Sequence, residues 1–443
     1  MASAAEQLAA NMSLGSFSKA TELHKRLWFT LGALIIYRLG TYVPVPGIDA
    51  SVMAGLMTRA GGGLLGMFDM FTGGALRRMT VFALAIMPYI SASIIIQLMT
   101  SAVPALETLK KEGDSGRMKL NQYTRYLTVL IAIFQAYGVA IGLESQNGAV
   151  LNPGFFFRLT CVVTLVGGTV FLMWIGEQIT ARGVGNGSSL IIMAGIVANL
   201  PNSVASLLEL GRTGGISGAA IFMFAAMAAG VIAFVVFMES AQRRVLVQYP
   251  KRQVGNKVYG GDSTHMPLKV NVSGVIPPIF ASSLLVIPGG IASLAANHGY
   301  GWATTISSLL GRGTILYLTL YAALIIFFTF FYTAVVFNPE ETAENLKKNG
   351  GFIPGIRPGS ATAEYFDRVL GRLSFIGAGY LVLVVLVPEI MMEHYNTSFY
   401  LGGTSLMIIV SVTMDTVTQV QSHLLAHQYE GLIRKNRGKS RLK

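Results

Sequence analysis

GTILYLTLYAALIIFFTFFYTAVVFNP, residues 313–339, contains no Asp, Glu, Lys or Arg. A membrane-crossing helix needs only about 20 mostly apolar residues, so this run is long enough to span a bilayer. Eight further uncharged runs accompany it, at 79–106, 126–143, 159–176, 183–208, 213–238, 270–311, 373–388 and 394–414. Of the 443 residues, 52% are apolar and 12% charged, against roughly 25% charged in ordinary soluble proteins. So few charges cannot coat a soluble chain of this length. The sequence predicts an all-α polytopic membrane protein.

Run 270–311 is long enough for two helices, but Pro288-Gly289-Gly290 and Asn297-His298-Gly299 interrupt it. It therefore reads as one span near 273–296 followed by a loop. A further span at about 25–45 tolerates Arg38 near one end, where a long side chain snorkels to the interface. The total is ten spans. Residues 1–24 lack the continuous apolar stretch of a cleaved signal peptide and read as a short interfacial helix leading into an uncleaved first span.

Seven of the 33 basic residues (Arg38, Arg59, Arg77, Arg78, Arg158, Arg212 and Arg312) fall on one side of this ten-span arrangement, and the other 26 on the opposite side. Positive charge in short loops marks the cytoplasmic face, so both termini are expected there. Counting alone divides the spans into two halves of five, 1–212 and 213–443. An odd number per half forces inverted orientation, an arrangement shared by pores and secondary transporters. The single cysteine, Cys161, excludes an intramolecular disulfide and any multi-cysteine metal site. Glycine, at 50 residues, is enriched as suits close helix packing in lipid.

Two basic segments are too long for simple connectors. Segment 239–269 carries Arg243, Arg244, Lys251, Arg252, Lys257 and Lys269 between β-prone pieces and is expected to form a hairpin. Segment 338–372 carries Lys347, Lys348, Arg357, Arg368 and Arg372, with Gly350-Gly351 and Gly355-Ile356-Arg357-Pro358-Gly359 fixing turns. Both suit docking of an acidic or RNA-rich partner. Catalytic motifs are missing: there is no Gly-x4-Gly-Lys-Ser/Thr loop and no His-Glu-x2-His. His423 and His427 share a helix face without an acidic or cysteine ligand alongside. Asp415 and Glu177 are the main acidic residues near the spans, too few for an ion-coupled carrier. No metal, cofactor or enzymatic activity is expected.

Three segments carry a specific likeness: IMPYISASIIIQL at 86–98, an amphiphilic span with Pro88 inside it; WIGEQITARGVGNG at 174–187; and 332–359, from Tyr-Thr-Ala-Val-Val-Phe-Asn-Pro through Asn-Leu-Lys-Lys to Gly-Ile-Arg-Pro-Gly. Together they resemble the SecY/translocon alpha-subunit family, pore-forming subunits of the general protein translocase, over about His24 to Tyr429. The resemblance implies a clamshell of two five-helix halves around a central pore in a bacterial inner membrane. Such a channel moves unfolded preproteins and releases transmembrane segments sideways into lipid, between spans 79–103 and 273–296. It implies SecE-like and SecG-like small subunits, a SecA-like motor ATPase or a ribosome, and preprotein signal sequences as partners. A small-solute transporter is the alternative, and an intramembrane enzyme the remotest class.

The same resemblance places a pore ring at Ile86, Ile90, Ser188, Ile192, Ile279 and Ile408, with Ser188 where an aliphatic residue is expected. It also has Ala85 where the family has Gly, a change expected to cost little. Gln97 and Asn186, read as polar residues within apolar helices, are its lateral-gate residues, hydrogen-bonding across helices when closed. Gly61-Gly62-Gly63 and Gly73-Gly74 bracket a short apolar stretch, Leu64, Leu65, Met67, Phe68, Met70 and Phe71, that is too short to span. An interfacial helix or a hinged plug fits it, and the resemblance favours the plug, with packing rather than Asp69 holding it. Arg357, on its turn, and Arg243, Arg244, Lys251, Arg252 and Lys257 are the docking residues for motor or ribosome.

Overall fold

The computed structural model describes residues 21–49, 69, 71–144, 148–214, 217–250, 252–254, 257–259, 263–285, 301–309, 311, 314–394 and 402–440. In chain order come α1 (Thr21–Gly40), α2 (Met87–Ala102), α3 (Pro104–Lys111), α4 (Asp114–Glu144), α5 (Phe155–Arg182), α6 (Gly187–Arg212) and α7 (Gly218–Ser240). Strands β1 (Gln242–Gln248), β2 (Arg252–Val254), β3 (Lys257–Tyr259) and β4 (Ser263–Lys269) follow. The chain continues through α8 (Ile276–Leu285), α9 (Gly301–Leu309), α10 (Ile315–Val336), α11 (Pro339–Lys348), α12 (Ser360–His394) and α13 (Gly403–Ser440).

Among the described residues, seven helices (α4 to α7, α10, α12 and α13) are long and apolar enough to cross a membrane, and α2 with α3 adds an eighth if counted as one bent span. Of the two other expected spans, α1 carries Glu22, Lys25, Arg26 and Arg38 within its 20 residues. The span at 273–296 is described only as α8, and residues 286–296 lie outside the described part.

The span expected to begin at Met79 becomes helical only at Met87. Turns occupy residues 72–79 and 81–86, and Met79 and Ala85 adopt φ of 47° and 48°, left-handed angles that interrupt a helix. Pro88 therefore sits in the first turn of α2, where its missing N–H costs nothing, rather than inside the helix. At the far end Val103 is extended (φ −108°, ψ 114°), as a residue before proline must be, and the chain turns 99° into α3. Lys110 Nζ then donates to the Val335 carbonyl at 3.2 Å, tying α3 to the end of α10.

Segment 239–269 is the expected hairpin, so the chain is not wholly helical. Strand β1 pairs antiparallel with β4 from Gln242↔Lys269 to Gln248↔Ser263, and β2 pairs with β3. Along β1, Val245 and Val247 point inward in the two-residue period of a strand. The second basic segment joins it: Gln248 and Phe352 exchange backbone hydrogen bonds, each 2.9 Å. Val245, Leu268, Ile353, Phe366, Val369 and Leu373 form a common core beneath. The two loops are one small domain. Within it, Asn338 Oδ1 accepts from the Glu340 and Glu341 amides, Pro339 takes the first helical position, and Lys347 and Lys348 close α11.

The spans pack as α2 on α4, α4 on α5, α5 on α1 and α6, α6 and α7 on α13, and α10 on α12. The α5–α6 approach needs glycine, because a Cβ at Gly187 would collide with the Gly176 carbonyl. Helix α7 leaves Phe222 and Phe237 exposed, as lipid-facing side chains are.

Candidate functional site

Ile86 and Ile90 at the start of α2, Ile192 on α6, Ile279 on α8 and Ile408 on α13 are all buried and belong to one continuous apolar set. Phe71, the one apolar residue of the expected plug among the described residues, joins the same set. Leu64, Leu65, Met67, Phe68 and Met70 lie outside the described residues.

Phe71 is placed by the chain after it. Gly73 and Gly74 take φ of 69° and 80°, which glycine adopts freely. Tyr37 Oη donates to the Thr72 carbonyl at 3.3 Å, and Arg38 Nη1 and Arg78 Nη2 donate to the Gly73 carbonyl at 2.9 and 3.1 Å. Arg38 therefore does not simply snorkel outward. Both guanidiniums also sit against the Tyr42 ring. Asp69 contributes more than expected: its Oδ1 accepts from the Arg77 amide at 2.7 Å and its carbonyl accepts from Gly74 N at 2.9 Å. Burial pushes the Asp69 carboxyl above its ordinary value, and the Arg77 hydrogen bond pulls against that. Helix α6 closes over this segment at Gly195, where a Cβ would stand 2.7 Å from the Phe71 carbonyl.

Ser188 is half-buried in the first turn of α6. Asn186 is the N-cap of that helix rather than a residue within it. Its Oδ1 accepts from the Ser188 amide at 3.2 Å and the Ser188 hydroxyl at 2.7 Å. Gln97 Nε2 donates to Ser93 Oγ of its own helix at 3.2 Å, and its buried Oε1 has no partner among the described residues. Among the described residues, neither side chain makes the expected hydrogen bond across helices.

The turn around Asn186 is instead held from three sides. Thr30 Oγ1 of α1 accepts from Val184 N at 3.0 Å, Gln419 Oε1 of α13 from Gly185 N at 2.8 Å, and Thr180 Oγ1 of α5 from Gly187 N at 2.9 Å. Sequence reasoning missed these partners, since each lies on a different helix.

On the loop domain, Arg243, Arg244 and Arg357 are exposed. Gly355 and Gly359, with φ of 82° and 114°, form the turn that presents Arg357, and the Thr362 hydroxyl donates to the Arg357 carbonyl at 2.9 Å. Arg252 and Lys257 lie on the β2–β3 hairpin, and Lys251 lies outside the described residues. Glu177 forms a two-pronged pair with Arg125, at 2.9 and 2.8 Å, and Asp415 faces Lys269 at 3.7 Å. No metal-binding cluster of His, Cys, Asp or Glu occurs among the described residues.

A family model described as SecY matches residues 80–417. Protein translocase subunit SecY of Escherichia coli (strain K12) is 54% identical over 418 residues, 94% of this chain and 94% of that protein. The solved structure described as "The structure of a protein conducting channel" matches with a TM-score of 0.66 at 16% identity, over 90% of this chain and 92% of that one. "Sec61 in the Canine ribosome-channel complex from the endoplasmic reticulum" matches with a TM-score of 0.59 at 15% identity, over the same shares. Shared fold with channels that distant, and more than half of all residues shared with a translocase subunit along nearly its entire length, have one meaning: the chain belongs to the SecY family.

Proposed function

We propose that this chain, as the channel subunit its family membership makes it, carries unfolded preproteins across a bacterial inner membrane and releases transmembrane segments sideways between α2 and α8. A polypeptide crossing hydrocarbon exposes backbone N–H and C=O groups, each costing several kcal/mol, and a water-filled path removes that cost. The path must not leak ions at rest. The supporting observation is that Ile86, Ile90, Ile192, Ile279 and Ile408, from four helices or their caps, all belong to one buried apolar set. A narrow neck lined by such side chains excludes water and ions.

In this reading residues 1–212 and 213–443 are the two halves of the clamshell. Segment 61–74 is the plug, with Phe71 against the neck, and Gln97 and Asn186 flank the lateral gate. Both termini and the loop domain are cytoplasmic, which accounts for the uneven distribution of Lys and Arg. The loop domain presents Arg243, Arg244 and Arg357 to a SecA-like motor or to a ribosome, and SecE-like and SecG-like subunits complete the complex. Chemical work is done by the motor, and this chain has no enzymatic activity of its own. Vesicles containing the reconstituted complex should import a preprotein when motor and ATP are supplied. Ion-driven solute uptake without preprotein import would overturn the reading.

A further inference from the structure

Strand β4 ends at Lys269 and α8, which carries Ile279, begins at Ile276. Residues 270–275 are thus the whole connection between the loop domain and one member of the isoleucine neck. Asn271, within it, is 3% exposed. Its Nδ2 donates to Glu239 Oε1 at 2.7 Å and to the Gly274 carbonyl at 3.1 Å, and its Oδ1 accepts from the Ser273 hydroxyl at 3.1 Å. Glu239 stands next to the last residue of α7. Nearby, Val270 N donates to the Ala241 carbonyl at 3.1 Å, and a Cβ at Gly377 of α12 would be 3.3 Å from the Val270 carbonyl. Lys269 reaches Asp415 at 3.7 Å, on the helix that carries Ile408. Gly274, with φ of 62°, supplies the bend that turns the strand into the helix.

We infer that the Glu239–Asn271 hydrogen bond is a latch that pins the strand-to-helix connection to α7, so that α8 keeps Ile279 in the closed neck until the connection is pulled free. This rests on the channel reading above. The physical reason lies in the pairing of types. A carboxylate accepts only, a carboxamide donates through its nitrogen, and the bond to a charged group is among the stronger ones. The latch is short, largely buried on the Asn271 side, and located where load applied to the β-hairpin must pass to reach α8. Glu239 and Asn271 are therefore positioning residues that set how readily the neck opens.

Asn271→Asp tests this in reconstituted vesicles with motor and ATP, because it sets a carboxylate against Glu239. A preprotein whose signal sequence is weakened by one charged residue should be imported about tenfold faster than by the unmodified protein, since a hydrogen bond to a charged group shifts an equilibrium by about that factor. Resting ion conductance should rise with it. Adding Glu239→Gln restores a donor facing an acceptor, and the pair Asn271→Asp with Glu239→Gln should return both readouts to near the starting level. A purely structural role predicts no such rescue. If Asn271→Asp does not accumulate, Asn271→Ala is read in its place with the same expected increase. Unchanged selectivity and conductance in the accumulating variant, or a double variant as permissive as the single one, overturns the latch alone. Failure of the unmodified protein to import a preprotein with an intact signal overturns the channel reading and the latch with it.

Discussion

Ala85 adopts φ of 48° while 3% exposed. An L-residue in the left-handed region loses about 1–2 kcal/mol relative to glycine, which has no Cβ to clash. Glycine returns part of this through a more flexible unfolded chain, about 0.4–1 kcal/mol. Ala85→Gly should therefore stabilise the fold by about 0.5–1 kcal/mol, measured as a higher unfolding midpoint in detergent; a lower midpoint refutes the argument. The family resemblance expected glycine here but assigned its replacement little cost, because a sequence shows residue type and not backbone angle. Asn186 illustrates the same limit. It reads as a gate residue within an apolar helix, yet one residue before a helix an Asn oxygen finds free amides and becomes a cap. The isoleucines are the opposite case. Ile86 and Ile90 are spaced four apart, and this much is legible, but their membership of one buried apolar set with Ile279 and Ile408 requires the whole fold.

The loop domain shows what element-level reading gains and loses. The β1–β4 hairpin was legible from its alternating valines and basic punctuation. Its union with segment 338–372 was not, since the Gln248–Phe352 bridge joins residues over a hundred apart in sequence. Gly351 sits in that seam: a Cβ there would lie 3.1 Å from the Tyr249 ring and 3.2 Å from Val247 Cγ1. Gly351→Val should wedge the seam apart and slow motor-driven import severalfold without lowering the amount of membrane-inserted protein. Import at the unmodified rate would show that the two loops act separately. Arg357→Glu acts on the exposed turn itself, where a guanidinium makes two-pronged contacts that a carboxylate repels. It should abolish motor-driven import at normal channel abundance, and import by that variant would remove Arg357 from the docking surface.

At the scale of the molecule, the proposed function divides sealing between a neck and a plug. Ser188 is the proposed ring's one hydroxyl-bearing member, and that hydroxyl donates to Asn186 Oδ1. Ser188→Ile should lower resting ion conductance in planar bilayers and leave import intact, and increased leak would exclude position 188 from the neck. Deleting residues 64–71 should raise resting conductance and allow import of preproteins with weakened signals. If neither changes, the segment is an interfacial helix. Of the ten spans expected by length, seven appear as single membrane-length helices among the described residues. The span at 273–296 is described only as α8, and those at 25–45 and 79–103 are where charges or left-handed turns interrupt the apolar run. The 99° elbow at Val103 has a consequence for the lipid itself. In the proposed orientation α2 crosses the bilayer and the right-angle turn lays α3 along its surface, where α3 ends in Lys110 and Lys111. The elbow is a depth gauge: α2 cannot sink further without dragging two lysines into hydrocarbon, so a thinner or thicker bilayer must adapt to α2 rather than slide it.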